Sequence, residues 1–242
     1  MKNLQSSNPI LKFARKIDGT GLATFNGILN KIMFLIFLTI LGASFTWIKY
    51  INFSNDVSFF MWLGLIGGFI FALLTSFIPS IAPFTVSLYA LFEGLFLGGI
   101  SAKFSYVYNG IVIQAVLITL SILIGMLILY KSKIIKATGR FKKGVFAATF
   151  GIGIVYLLNL ILSLFGINLP FLHTSTPIGI GVSIFIIIIA ALNFIIDFDY
   201  LNSIVYNGAS KKIEWIGAFG IITTLIWMYI QVIRLLYILK ED

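Results

Sequence analysis

Long apolar stretches alternate with short polar ones along most of the chain. Windows of about 20 residues, the length of a helix that crosses a bilayer, predict seven membrane spans. Turn-forming residues occupy three of the short connections, at 52–56, 79–83 and 108–110. The pattern therefore predicts an all-α membrane protein with a bundle of seven transmembrane helices. The predicted bounds are 31–49, 59–78, 82–102, 110–130, 144–166, 178–198 and 214–238.

Composition supports the same class. The chain is 60% hydrophobic and only 10% charged, whereas soluble domains carry about 25% charged residues. The net charge of +9 could suit nucleic acid, but the basic residues lie between apolar segments, where they orient a membrane protein. The predicted partner is therefore the lipid bilayer and not nucleic acid. With no cysteine, disulfides and thiolate metal sites are excluded.

The distribution of lysine and arginine predicts the orientation. These residues concentrate in the N-terminal segment 1–30, just after it at Lys31, and in the connections 131–143 and 207–213. The opposite connections hold only Lys49 and Lys103. By the positive-inside rule, segment 1–30 is cytoplasmic, the seven-helix domain 31–242 follows it, and the C-terminus lies outside. His173 then falls in an outside connection and is interpreted as an ordinary loop residue.

Segment 7–17 is amphipathic and basic. It suits either a short helix in the membrane interface or a solvated tail.

Two predicted spans carry small and polar residues at alternating spacings of three and four, which places them on one helix face. Such faces pack against other helices instead of lipid. Glycines elsewhere are also interpreted as packing positions, in spans two and three at the close-packing spacing of four. The span-six face is Gly179, Ser183, Ile186, Ala190, Asn193 and Asp197; the span-seven face is Gly217, Gly220, Thr224, Trp227, Gln231 and Arg234; the glycine pairs are 64/68, 94/98, 151/153 and 179/181.

Glu93 lies near the middle of predicted span three. An ionisable side chain at that depth is costly unless protein or water surrounds it, so it marks a functional site by default. The alternative is a buried structural hydrogen bond. If spans three, six and seven surround a common interior, Glu93 faces Thr224, Trp227 and Gln231.

Other charged residues lie near the span ends. Asp197 continues the polar face of span six, whereas Asp199 is either a solvated charge or a second ligand. The two are about 200° apart on a helix, so they cannot face one site unless the helix unwinds. Glu214 opens span seven, where a carboxylate complements the helix dipole. Arg234, near the outer end, either reaches the interface or forms a buried ion pair.

Enzyme motifs are absent from the sequence. There is no HExxH, no second histidine for a zinc site, no GxSxG serine and no phosphate-binding loop. The sequence therefore predicts a protein that is not an enzyme and needs no cofactor.

Several segments, taken together and in order, resemble the Bax inhibitor-1 family, and within it the bacterial YccA-like branch. The resemblance covers nearly the whole chain. It implies a seven-helix bundle with the last helix at the centre, pH-sensitive calcium leak, and a place in the bacterial inner membrane. The matching segments are Ser7-Asn8-Pro9, the run from Glu93 to Ser101, Asp197-Phe-Asp199, and Glu214-Trp215 followed by Trp227 and Arg234.

The resemblance also implies a pair of aspartates. One matches Asp197, but the second falls on Thr224, which cannot ionise. The two-aspartate arrangement of the family is therefore incomplete here, and Glu93 is a candidate substitute.

The function expected from these residues is a pH-sensitive cation leak, with calcium as the favoured ion, gated by protonation of buried carboxylates. The pathway residues are Glu93, Asp197, Asp199, Thr224 and Arg234, with Asp197 and Glu93 as transient calcium ligands. Two alternatives stay open. One is a non-conducting membrane protein that regulates protease or stress-response partners, and the other is a proton-coupled transporter of small solutes.

Overall fold

The computed structural model describes residues 21–54, 57–166 and 174–241. Seven α-helices follow one another within these residues, and each is long and apolar enough to cross a membrane. The seven predicted spans are therefore confirmed. The helices are α1 Phe25–Lys49, α2 Ser58–Phe77, α3 Ala82–Val107, α4 Ile111–Lys131, α5 Gly139–Ser163, α6 Pro177–Tyr206 and α7 Ile213–Glu241.

Four helices differ from their predicted bounds by five residues or more: α3 ends five residues late, α5 begins five residues early, and α1 and α6 differ by more. Helix α1 begins six residues early, because Thr24 caps it: the Thr24 hydroxyl accepts a hydrogen bond from the Gly27 N–H at 3.0 Å. Helix α6 continues eight residues past position 198. Between position 198 and Gly208 there is no glycine or proline to end the helix. Gly208 follows the helix end, and its φ of +60° is a conformation that favours glycine.

The short connections agree with the turn signals. A π-helical turn, Tyr50–Ser54, follows α1, and a 3-10 turn, Pro79–Ile81, precedes α3. Gly110 adopts a φ of +79° just before α4. The predicted N-terminal helix at 7–17 and the loop residue His173 lie outside the described residues.

One compact unit combines the chain up to Lys103 with Asp199–Thr223. In this unit the predicted glycine contacts are confirmed. A Cβ on Gly94 or Gly98 would overlap the main chain of Thr39 or Ala43 on α1, and a Cβ on Gly64 would lie 2.6 Å from the carbonyl oxygen of Phe92. Because these glycines lack a side chain, α3 approaches α1 and α2 closely.

The second unit comprises Phe104–Phe198 and Thr224–Asp242. The predicted face of α6 is confirmed in its first half, where its members from Gly179 to Ala190 are buried and the exposed residues, Gly181, Ile184, Phe185 and Ile188, lie between them. Further along the same face, Asn193 and Asp197 are half-buried. The packing role predicted for Gly151, Gly153 and Gly181 is wrong among the described residues. A Cβ at any of them would meet nothing within 4 Å. In α5, which carries Gly151 and Gly153, only 11% of the residues in the most apolar stretch are buried.

Helix α7 is the most buried of the described spans. Of the residues in its most apolar stretch, 61% are buried, whereas the corresponding share in the other spans is 11% to 50%. That burial agrees with the central position expected of the last helix.

Candidate functional site

Asp197 and Thr224 are in direct contact within the second unit. The Thr224 hydroxyl donates a hydrogen bond to Oδ2 of Asp197 at 2.7 Å. Thr224 is buried and Asp197 is half-buried. The resemblance predicts an aspartate at position 224. The two expected positions are therefore in contact, but the second carries a hydroxyl instead of a carboxylate.

A second polar contact lies one helical turn from Asp197. The Asn193 side-chain amide donates to the Thr149 hydroxyl of α5 at 2.8 Å and to the main-chain carbonyl of Ile189 at 2.9 Å. Asn193 and Asp197 are four residues apart and therefore share one face of α6. This contact links α5 to the face that carries Asp197.

A third polar contact joins α5 to the C-terminal half of α7. The Tyr156 hydroxyl donates to Oε1 of Gln231 at 3.0 Å and is also hydrogen-bonded to Arg234. Arg234 is half-buried and lies seven residues before the end of α7. Its partner Tyr156 is a half-buried phenol on the neighbouring helix, so this contact is a hydrogen bond and not an ion pair. The two expected roles of Arg234, at the interface or in a buried ion pair, stay predictions.

These contacts lie at two depths of the second unit. At 1.5 Å per residue, Thr224 is about 16 Å from the start of α7 and Gln231 about 27 Å. Thr149 and Tyr156 lie at about 15 Å and 26 Å from the start of α5. Polar side chains thus accompany Asp197 at one depth and recur about 11 Å further along α5 and α7.

Asp199 does not join Asp197. Helix α6 is continuous through both residues, so the rotation of about 200° between them is retained. A site formed by both carboxylates, which required an unwound helix, is therefore not formed.

Glu93 lies about 16 Å into α3, as predicted, and belongs to the first unit. Its carboxylate packs on Gly68 of α2, where a Cβ would lie 2.8 Å from Oε1. Tyr89, one turn earlier, interacts electrostatically with it and hydrogen-bonds to Thr223. No described residue donates a hydrogen bond to Glu93. The predicted approach of Glu93 to Thr224 stays a prediction.

Glu214 has a role that the sequence did not reveal. It lies in the first turn of α7, but its carboxylate forms a buried ion pair with Lys31 of α1. It also accepts a hydrogen bond from the Thr24 N–H at 2.8 Å. The dipole interpretation for Glu214 is therefore incomplete, because the carboxylate also caps α1. Lys31, interpreted as a charge that orients the N-terminus, lies inside α1.

The main chain near Glu214 strengthens this connection. The Ala23 N–H donates to the Ala209 carbonyl at 2.8 Å, and the Lys211 N–H donates to the Gly21 carbonyl at 3.1 Å. The segment before α1 and the α6–α7 connection therefore lie on the same side of the first unit, as the lysine distribution predicts.

Within 21–54, 57–166 and 174–241, no group of three or more acidic or histidine side chains is placed to hold a metal ion. Calcium takes six to eight oxygen ligands. A calcium ion at Asp197 would therefore draw most of its ligands from hydroxyls, main-chain carbonyls and water, an arrangement suited to brief contact.

Residues 3–241 match the sequence model of a protein family described as Bax inhibitor 1 like. The match extends over all seven helices. No curated protein matches the chain.

Proposed function

The chain belongs to the Bax inhibitor 1 like family of membrane proteins, and from that premise we propose that it forms a pH-sensitive cation leak pathway. Calcium is the favoured ion, and protonation of carboxylates within the spans is the gate. The bacterial YccA-like branch of the family remains part of this proposal.

The contact between Asp197 and Thr224 carries the proposal. A carboxylate within a membrane span is costly and belongs where ions or protons pass. When Asp197 is ionised, its bond from Thr224 is charge-assisted and strong. Protonation weakens that bond and also removes the negative charge that attracts a cation. One proton thus alters both the contact between α6 and α7 and the affinity for the ion.

The polar side chains near Asp197 supply the remaining ion contacts. Thr149 and Asn193 add oxygen atoms near Asp197, and Gln231 adds another about 11 Å further out along α7. Calcium prefers such oxygen ligands. Glu93 is proposed as a second carboxylate on the pathway, because no described residue satisfies its oxygens.

The proposed location is the bacterial inner membrane, with the N-terminus in the cytoplasm and the C-terminus outside. The asymmetric distribution of lysine and arginine supports this orientation. The main-chain contact between residues 21–23 and 209–211 supports a common side for two of the basic segments.

Calcium flux into liposomes that contain only the purified chain tests the proposal. Flux above that of empty liposomes, with a rate that changes across pH 5 to 8, is the expected result. Potassium and magnesium, measured in the same vesicles, define the ion preference. Absence of flux at every pH would overturn the leak and favour a non-conducting regulator of other membrane proteins.

A further inference from the structure

Helices α2 and α3 enclose a groove of about 230 Å³ on the first unit. Glycines bring the two helices together beneath it: a Cβ on Gly64 would lie 2.6 Å from the Phe96 nitrogen, and a Cβ on Gly99 would overlap Met61. The groove is lined by Ser58, Met61, Trp62, Leu65, Phe96 and Lys103.

Polarity changes along the groove. Ser58 is the first residue of α2, and Lys103 lies four residues, about 6 Å, before the end of α3. Leu65 is about 10 Å into α2, and Phe96 is about 16 Å from the end of α3. One end of the groove therefore carries a cation and a hydroxyl at the depth of the lipid headgroups, and the other is apolar at the depth of the acyl chains.

The two exposed side chains at the headgroup end suit that depth. Trp62 is 59% exposed, and tryptophan is enriched at membrane–water interfaces. Lys103 is exposed, and no described acidic side chain forms an ion pair with it. A lysine there attracts anionic headgroups.

We propose that this groove binds one anionic phospholipid of the surrounding bilayer. Lys103 pairs with the phosphate-bearing headgroup, Trp62 packs beside it, and an acyl chain lies against Leu65 and Phe96. A free inorganic anion would use only the charged end, and a zwitterionic lipid would offer Lys103 a phosphate whose charge is offset by the ammonium group of the same headgroup. An anionic amphiphile satisfies both ends. None of the residues that line the groove belongs to the proposed ion pathway, and the proposal stands whether or not the chain conducts ions.

Native mass spectrometry of the purified full-length chain, titrated with dioleoyl phosphatidylglycerol or dioleoyl phosphatidylcholine, tests the proposal. Wild type is expected to retain one phosphatidylglycerol more tightly than phosphatidylcholine. Lys103→Gln should weaken phosphatidylglycerol binding about five-fold, the effect of one lysine near an anionic surface, and leave phosphatidylcholine unchanged. Leu65→Trp fills the apolar end and should weaken both lipids.

The matched control is Lys240→Gln, which removes an exposed lysine from the end of another span and should bind as wild type does. Thermal unfolding in detergent checks that each variant is folded. Equal phosphatidylglycerol binding by wild type and Lys103→Gln would overturn the proposal. Displacement of the lipid by millimolar inorganic phosphate would also overturn it, since the groove would then be a simple anion site.

Discussion

The hydroxyl of Thr224 lies 2.7 Å from Oδ2 of Asp197 and donates a hydrogen bond to it. The bond joins α7 to α6 within the second unit. The resemblance to the Bax inhibitor-1 family implies two aspartates at these positions, so this chain keeps the contact but halves the number of ionisable groups. A single carboxylate titrates in one step, whereas two adjacent carboxylates titrate as a coupled pair.

Thr224→Asp is expected to restore the coupled pair. Two neighbouring carboxylates cannot both ionise easily, so a second proton is held into a higher pH range. Calcium flux of the variant should therefore show a broader or two-step pH profile. Thr224→Val, which keeps the shape but not the hydroxyl, is the matched control and should retain one step. A single-step profile for Thr224→Asp, identical to wild type, would remove position 224 from the gate.

The second prediction separates the two aspartates of α6. Asp197→Asn keeps a hydrogen-bond acceptor for Thr224 but cannot change charge, so the pH dependence of calcium flux should shift or disappear. Asp199→Asn should have a weaker effect, because the continuous helix turns this side chain away from the one at 197. Flux measured from pH 5 to 8 provides the comparison. Equal profiles for wild type and Asp197→Asn would exclude this carboxylate as the sensor.

The seven helices were predictable because the length and hydropathy of a span are local properties of the sequence. The ends of the helices were less predictable. Helix α6 continues past its apolar stretch because Asp199 and Tyr200 are compatible with a helix that leaves the hydrocarbon. The polar face of α6 was predictable from spacing. Its partner Thr149 was not, because spacing on one helix does not identify the neighbouring helix.

The ion pair between Lys31 and Glu214 illustrates the same limit. Its members are 183 positions apart, and the local sequence explains each one alone. Lys31 fits the positive-inside rule, and Glu214 fits a carboxylate that complements the dipole of α7. Only tertiary structure reveals that they neutralise each other. A lysine at the start of the first apolar segment, with a lone acid at the start of the last, was the available signal.

The third prediction concerns this ion pair. Glu214→Leu leaves the Lys31 ammonium, whose side chain is 14% exposed, without a counter-charge, and removes the acceptor for the Thr24 N–H. Breaking a buried pair typically costs about 3–5 kcal/mol. Thermal unfolding in detergent should therefore show a large loss of stability.

Two further variants complete that experiment. Adding Lys31→Met to Glu214→Leu removes the uncompensated charge, so the double variant should regain part of the loss. Lys143→Gln, at an exposed position, should change stability by less than about 0.5 kcal/mol. If Glu214→Leu is as stable as wild type, the pair does not hold α1 to α7.

The fourth prediction concerns orientation. A cysteine introduced at Lys136 should react with a membrane-impermeant maleimide only after the cytoplasmic side is opened. A cysteine introduced at His173 should react in intact cells, because the positive-inside rule places that connection outside. The chain has no native cysteine, so each signal reports one position. The reverse pattern of labelling would invert the proposed topology.

The last prediction concerns Glu93. Its carboxylate lies in mid-span on α3, packs on Gly68 and receives no hydrogen bond from the described residues. Glu93→Gln preserves size and should retain the fold but change calcium flux or its pH midpoint. Glu93→Leu should lose flux and be at least as stable as wild type, because it removes a polar group that is costly to desolvate.

Gly68→Ala tests the position of that carboxylate without changing its charge. The added methyl group would lie 2.8 Å from Oε1 of Glu93, so the carboxylate must move and calcium flux should fall. Gly125→Ala is the matched control, since a Cβ there meets nothing within 4 Å, and it should conduct as wild type does. If Glu93→Gln and Glu93→Leu both conduct normally and Glu93→Leu is clearly less stable, then Glu93 is a structural residue and does not belong to the ion pathway.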